Sequence, residues 1–163
     1  MSQIRARVSE LGYELPPPPP AASHYRPVIC HHRSLIVSGQ LPRTADGTLL
    51  ATGKVGDRVD LDTAVACARQ CALNILALLD QQFGGTLGGN FERLLRVGVF
   101  VAGLPSFTDH HLVADGASDL LEAVLGARGQ HARAAVGCAA LPLDAPVEVE
   151  AWVGLADDER ASD

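Results

Sequence analysis

The stretch HARAAVGCAALPLDAPVEVEAW, residues 131–152, sets Arg133, Glu148 and Glu150 into two runs of small apolar residues. A guanidinium pairs with planar anions, and a carboxylate can accept, hold or pass on a proton. These side chains are either solvated residues at strand edges or the polar fittings of a site. In a strand, residues two apart share a face. Glu148, Glu150 and Trp152 then point one way, and Val147, Val149, Ala151 and Val153 the other. If the two runs close as a simple hairpin around Pro142 to Pro146, Glu148 lies opposite Ala140. Arg133 is then about seven residues further along, roughly 23 Å at strand rise. A single site using both residues requires that the strands not be neighbours, or that the site lie between subunits.

The elements that must position these residues follow from the periodicity. PVIC and SLIVSG read as strands split by the polar turn His31–His32–Arg33, and RTADGTLL as a turn or short hairpin on Asp46–Gly47. From Leu61 to about Phe83, Ala64, Val65, Ala68, Cys71, Ala72, Ile75, Leu76 and Leu79 form one helical stripe. Asp60 or Asp62 caps that helix and Gly84–Gly85 stops it. LLRVGVFVAG (residues 94–103) is a strand. DHHLVADGASDLLEAVLG is a second helix with Val113, Ala117, Leu120, Leu121 and Val124 inward. The order predicts an α+β domain with its two main helices on one face of a sheet. VGVFVA and AAVGCAAL do not alternate polar with apolar, as a sheet with one wet face should. A second copy of the chain is the expected cover, so a homo-oligomer is inferred.

At the N-terminus, Ile4, Val8 and Leu11 fall at helical spacing, which predicts a short surface helix. LPPPPPA (residues 15–21) is a polyproline II spacer that separates this helix from the body. The reading divides the chain into residues 1–21 (helix and spacer), 22–156 (one domain) and 157–163 (acidic tail). The 163 residues carry 13 Lys and Arg against 19 Asp and Glu, a net charge of −6, with no basic run. That balance argues against nucleic acid as a partner. The start lacks the apolar core of a signal peptide and no apolar run approaches ~20 residues, so a soluble, cytoplasmic protein is expected. Cys30, Cys67, Cys71 and Cys138 show no disulfide framework and are expected to be free thiols.

The residues around Arg133 and Glu148 resemble the signature of the RidA/YjgF family, the reactive-intermediate imine deaminases, also known as endoribonuclease L-PSP. The family pattern has an Arg after a small residue, a small-apolar strand ending in Leu-Pro, then an apolar residue followed by Glu. Ala132–Arg133, Leu141–Pro142 and Val147–Glu148 fit it at the right spacing, LIVSGQLP (residues 35–42) resembles the SGQ strand, and Tyr25 sits where the family has its early Tyr. The resemblance covers about Tyr25 to Trp152. It implies a chorismate-mutase-like fold and a homotrimer with the sheets as an inner barrel, the helices outside and the sites in clefts between subunits. The implied activity is hydrolysis of 2-imino or 2-enamino acids, such as 2-aminoacrylate, to a 2-oxo acid and ammonia, without a cofactor. By the same resemblance, Arg133 would grip the substrate carboxylate and Glu148 would relay a proton or orient water, with Glu150 as the alternative for that role and Glu148 then a structural ion-pair partner. Ser38 and Gly39 would hold the other end and Tyr25 would close the pocket. Departures from the pattern are Ala135, where many relatives carry Cys, His131, where Pro or Ala is usual, and the N-terminal extension. They mark a longer, divergent branch, and leave open a non-catalytic carboxylate-binding trimer. A ribonuclease is disfavoured by acidity and by the lack of a general acid–base His pair.

No metal site is expected. Cys67 and Cys71 lie on or beside the apolar stripe and read as small core residues. His31–His32 and His110–His111 read as a turn and a helix start. His131 shares a strand face with Arg133 and could tune it. GGTLGG (residues 84–89) is a helix stop and loop, and GTLLATGKV has neither the spacing nor the hydroxyl of a phosphate loop.

Overall fold

The computed structural model describes residues 2–19, 24–86 and 90–156. Helix α1 (Gln3–Glu10) is followed by strands β1 (Val28–His31) and β2 (Ser34–Gln40), helix α2 (Leu61–Gln82) and strand β3 (Phe91–Ala102). Helix α3 (His110–Leu125), strand β4 (Ala132–Cys138) and strand β5 (Val147–Leu155) complete the order. The result is the predicted α+β architecture, a five-stranded sheet in the order β1-β2-β5-β3-β4. Asp60 is the N-cap of α2, its carboxylate accepting from Thr63 N at 2.8 Å. Gly84 and Gly85 end that helix at φ +60° and +81°, a region a side chain would strain. Helix α2 has the length and apolarity of a membrane span, yet Ile75, Leu76 and Leu79 are fully buried in the core.

The two closing strands do not form a hairpin. β3 lies between them, parallel to β4 and antiparallel to β5. The β3–α3–β4 segment is a parallel crossover, which places β4 on the side of β3 away from β5. Between β4 and β5 the chain passes through a 3₁₀ turn, Pro142–Asp144, in which Leu143 and Asp144 both have φ +58°. A bulky leucine in the left-handed region is a strained conformation. Asp144 is tied down by Arg58 at 2.7 Å and by Gly53 N–H, which donates to its carbonyl at 2.8 Å.

Alternate residues of the central strands divide the sheet into two unlike faces. Val97, Val99 and Val101 of β3 and Val147, Val149, Ala151 and Val153 of β5 are fully buried beneath α2 and α3. The opposite face carries Ile29, Ile36, Val136 and Trp152, all exposed. A hydrophobic row of this kind needs a cover.

The N-terminal segment does not stand apart. Ile4 and Val8 are fully buried, Leu15 nearly so, and all three belong to the same core as the sheet. Gln3 N–H donates to Gly85 O at 2.8 Å, Arg7 Nη1 to Val124 O at 2.6 Å, and Ser2 Oγ to the Asp80 carboxylate. The helix ends at Glu10, so Leu11, read from spacing as part of the helix with Ile4 and Val8, becomes the C-cap and is 44% exposed. Pro16 to Pro19 lie along the domain, with Pro16 buried. The proposed boundary at residues 21–22 and the acidic tail at 157–163 lie outside the described residues.

Candidate functional site

Arg133 lies on the edge strand β4, in register with Val97 of β3, so it faces the helices. Its side chain, 25% exposed, is held by α3. Nη1 donates to Asp115 Oδ1 at 2.8 Å and to Ser118 Oγ at 3.0 Å, and Nη2 donates to His111 O at 3.3 Å. A guanidinium has five N–H donors. Three are used here, and Nε–H with one Nη2–H is left for a planar acceptor. Ser118, itself buried, is also 3.0 Å from His131 Nε2, while His131 Nδ1 is 2.6 Å from Gly129 O. A carbonyl can only accept, so Nδ1 carries a proton. In the neutral ring Nε2 therefore accepts from Ser118, whose lone pair is left for Arg133. His131 thus meets the group it was expected to tune, through one hydroxyl.

Glu148 is in register with Phe100 and lies on the other face of the sheet. It lines a cleft of about 540 Å³ with Tyr25, Gly39, Arg43 and Leu143. The β2 ladder is irregular between Val37 and Gln40, which places Gly39 in a bulge. A Cβ on Gly39 would overlap the Glu148 carboxylate, so any larger residue would push that side chain from its place. Among the described residues that carboxylate has no hydrogen-bond or ion-pair partner. Burial, and then the charge of Glu150, push its pKa above the usual glutamate value. Glu150 is differently placed. It lies over Gly98 and pairs with Arg96 at 2.9 Å, and Arg96 is also 5.9 Å from the Trp152 ring centroid. Glu148 is the carboxylate facing the cleft, and Glu150 is the ion-pair partner.

Of the residues singled out from sequence, the structure brings Tyr25, Gly39 and Glu148 into one cleft. Ser38 adjoins it, with its hydroxyl donating to Arg26 O at 2.8 Å and its N–H to Pro27 O at 2.9 Å, which fixes the segment after Tyr25. Arg133 does not join them within one chain. It is two strands from β5, about 10 Å across and about 10 Å along the sheet, and on the opposite face. Sequence reasoning missed Asp115, Ser118, Arg43 and Leu143. For the first two, a signal was present: Asp115 and Ser118 lie three apart on α3, so they share one helix face. Cys67 and Cys71 are buried beneath the sheet. Burial raises the Cys67 thiol to about 11 and that of Cys71 well above its usual value, so both behave as core residues.

A sequence profile of the family described as Endoribonuclease L-PSP matches residues 17–154. Protein TCP17 of Trypanosoma cruzi is 39% identical over 154 residues, 94% of each chain. Two solved structures superpose over nearly the whole fold. The protein Atu1372 of Agrobacterium tumefaciens, described as of unknown function, is 42% identical, with a TM-score of 0.85 over 94% of each chain. A putative endoribonuclease of Shewanella oneidensis is 29% identical, with a TM-score of 0.87 over 93% of this chain and 99% of its own. The YjgF gene product of E. coli, at 24% identity and a TM-score of 0.60 over 84% of this chain and 92% of its own, shares the fold.

Proposed function

The chain belongs to the endoribonuclease L-PSP family, which includes the YjgF and RidA proteins, and on that premise we propose that it hydrolyses 2-imino or 2-enamino acids to 2-oxo acids and ammonia. The observation that carries this reading is Glu148: a partly desolvated carboxyl without a protein partner, seated against Gly39 in a cleft of small-molecule size. Its raised pKa moves it toward the pH at which a carboxyl both takes and gives protons. The balanced step is simple. Water adds to the carbon of the protonated imine and passes a proton to Glu148, giving a carbinolamine. The carboxyl returns that proton to the nitrogen, the C–N bond breaks and ammonia leaves, and the hydroxyl gives its remaining proton to the regenerated carboxylate as the C=O of the 2-oxo acid forms. Tyr25 closes the cleft, and main-chain groups near Ser38 and Gly39 hold the end away from the carboxylate.

Arg133 enters from a second copy of the chain. It faces the helices of its own subunit at the sheet edge, and among the described residues its Nε–H and one Nη2–H have no acceptor. Those two donors suit a planar carboxylate. A homotrimer, with the exposed row Ile29, Ile36, Val136 and Trp152 turned inward, covers the open sheet face and carries Arg133 toward a neighbour's Glu148 cleft. A cytoplasmic location and independence from metal are part of the same proposal. A non-catalytic carboxylate-binding trimer is favoured by one feature, the three donors of Arg133 already committed to α3. The test is ammonia release from imino acids generated in place by an amino-acid oxidase. Acceleration by the protein supports deamination, and binding of 2-oxo acids without acceleration supports the binder. RNA cleavage by the purified trimer, lost in Glu148→Gln, would support the nuclease instead.

A further inference from the structure

The Glu148 cleft contains a cation that nothing in the proposed chemistry uses. Arg43 lines the cleft beside Gly47, and its guanidinium is at that wall, because Nη1 donates to Gly47 O at 2.7 Å. Among the described residues this is the guanidinium's one hydrogen bond, and it has no ion-pair partner. Glu148, which also has none, is therefore not its counter-ion. Four of the five N–H donors of Arg43 remain free.

The backbone that carries this side chain is fixed with unusual care. Asn74, buried in α2, donates from Nδ2 to Leu41 O at 2.9 Å and to Arg43 O at 3.1 Å. Gln70 Nε2 donates to Arg43 O at 2.9 Å. On the far side, Arg43 bridges Leu49 across a turn in which Asp46 Oδ1 accepts from Thr44 Oγ1 at 2.5 Å and from Thr48 N and Oγ1 at 3.0 and 2.8 Å. A long side chain on so well-held a backbone loses less freedom on binding a ligand. The cleft, at about 540 Å³, also holds much more than a three-carbon acid fills.

We infer that Arg43 selects acids with a second carboxylate, so that the preferred ligands are 2-imino and 2-oxo dicarboxylates. The inference rests on the site proposed above. In that site Arg133 of a second copy grips the carboxylate next to the reacting carbon, and Arg43 meets the one at the end of the side chain. A guanidinium supplies the planar fork a carboxylate needs, and in a chain of net charge −6 it is a local attractor for a dianion.

The test compares binding of 2-oxoglutarate and 2-oxobutanoate by calorimetry in the wild type, Arg43→Met, Arg43→Lys and Arg133→Ala, with oxidase-coupled imine turnover measured beside it. The wild type is expected to bind 2-oxoglutarate at least about tenfold more tightly than 2-oxobutanoate. Arg43→Met should bring that ratio close to one, and Arg43→Lys should keep part of it, with melting temperatures near wild type. Equal affinities in the wild type, or a ratio that survives Arg43→Met, overturn the inference. So does equal loss of both ligands in Arg43→Met, since Arg43 would then hold the end that the two acids share. If the preference is present but no imine is hydrolysed, deamination fails and the selectivity stands. If imines are hydrolysed without preference, deamination stands and the selectivity fails.

Discussion

Arg133 and Glu148 are positioned by opposite means. Three hydrogen bonds from α3 fix the Arg133 fork, and a fourth contact, Ser118 to His131, holds one of those acceptors in place. Among the described residues Glu148 has no such bonds; a glycine bulge makes room for it and its surroundings withdraw water. The first arrangement fixes direction, which suits a group that must match a planar ligand. The second leaves an acid free to change protonation, which suits a group that moves protons. A carboxylate as heavily hydrogen-bonded as the guanidinium would stay ionised and be a poor relay.

That contrast can be tested from its most severe consequence downward. Glu148→Gln keeps the shape and removes the proton relay, so kcat should fall by about 10²–10⁴ with substrate binding largely kept. The same variant should be more stable than wild type near neutral pH. A carboxyl whose folded pKa is raised binds more protons folded than unfolded, so its ionisation costs stability as pH rises from the ordinary glutamate value to the raised one. The gain should vanish in acid, and melting curves at several pH values would reveal its absence. Arg133→Lys keeps the charge but loses the fork; losing a charge-assisted bond costs roughly 1.5–3 kcal/mol, about tenfold to more than a hundredfold in kcat/KM. The mass in solution should not change, and the melting temperature should fall only a little, since Lys can keep the ion pair with Asp115.

The smaller effects separate direction from protonation. Ser118→Ala removes the acceptor between Arg133 and His131. It should raise KM for the carboxylate substrate by a few-fold while kcat changes little, and Ser118→Thr should restore it; a fall in kcat alone would contradict the positioning role. Glu150→Gln removes the neighbouring negative charge that helps to raise Glu148. The acid limb of the pH–rate profile should then shift to lower pH, and a shift the other way would break the assignment.

The helical stripes of α2 and α3 and the parity of β5 were readable because periodicity is local. Val147 to Val153 alternate about the backbone whatever pairs with them. The partner of β5 was not readable. Whether Val147 opposes Leu141 or Val101 depends on a crossover through α3, which no short-range pattern in LPLDAP records. The same non-local fact separates Arg133 from Glu148. Motif spacing identified both residues, but which face each occupies was set by strand order. Asp115 and Ser118 were hidden because a polar pair on a helix reads as solvated surface until a neighbouring strand presents an arginine to it. Leu143 was hidden because nothing in its type suggests a left-handed backbone.

The match to the family begins at residue 17, yet Ile4, Val8 and Leu15 lie in the core. A fragment cut at that match would lack three buried side chains of the core, two of them on the helix that packs against α2 and α3. The proline run links this anchorage to the ligand's surroundings, since Pro19 also lines the Glu148 cleft. Helix α1 is therefore the far abutment of a stiff strut whose near end is a wall of the cleft. The span matched by the family profile and the span that packs as one core are different lengths of this chain.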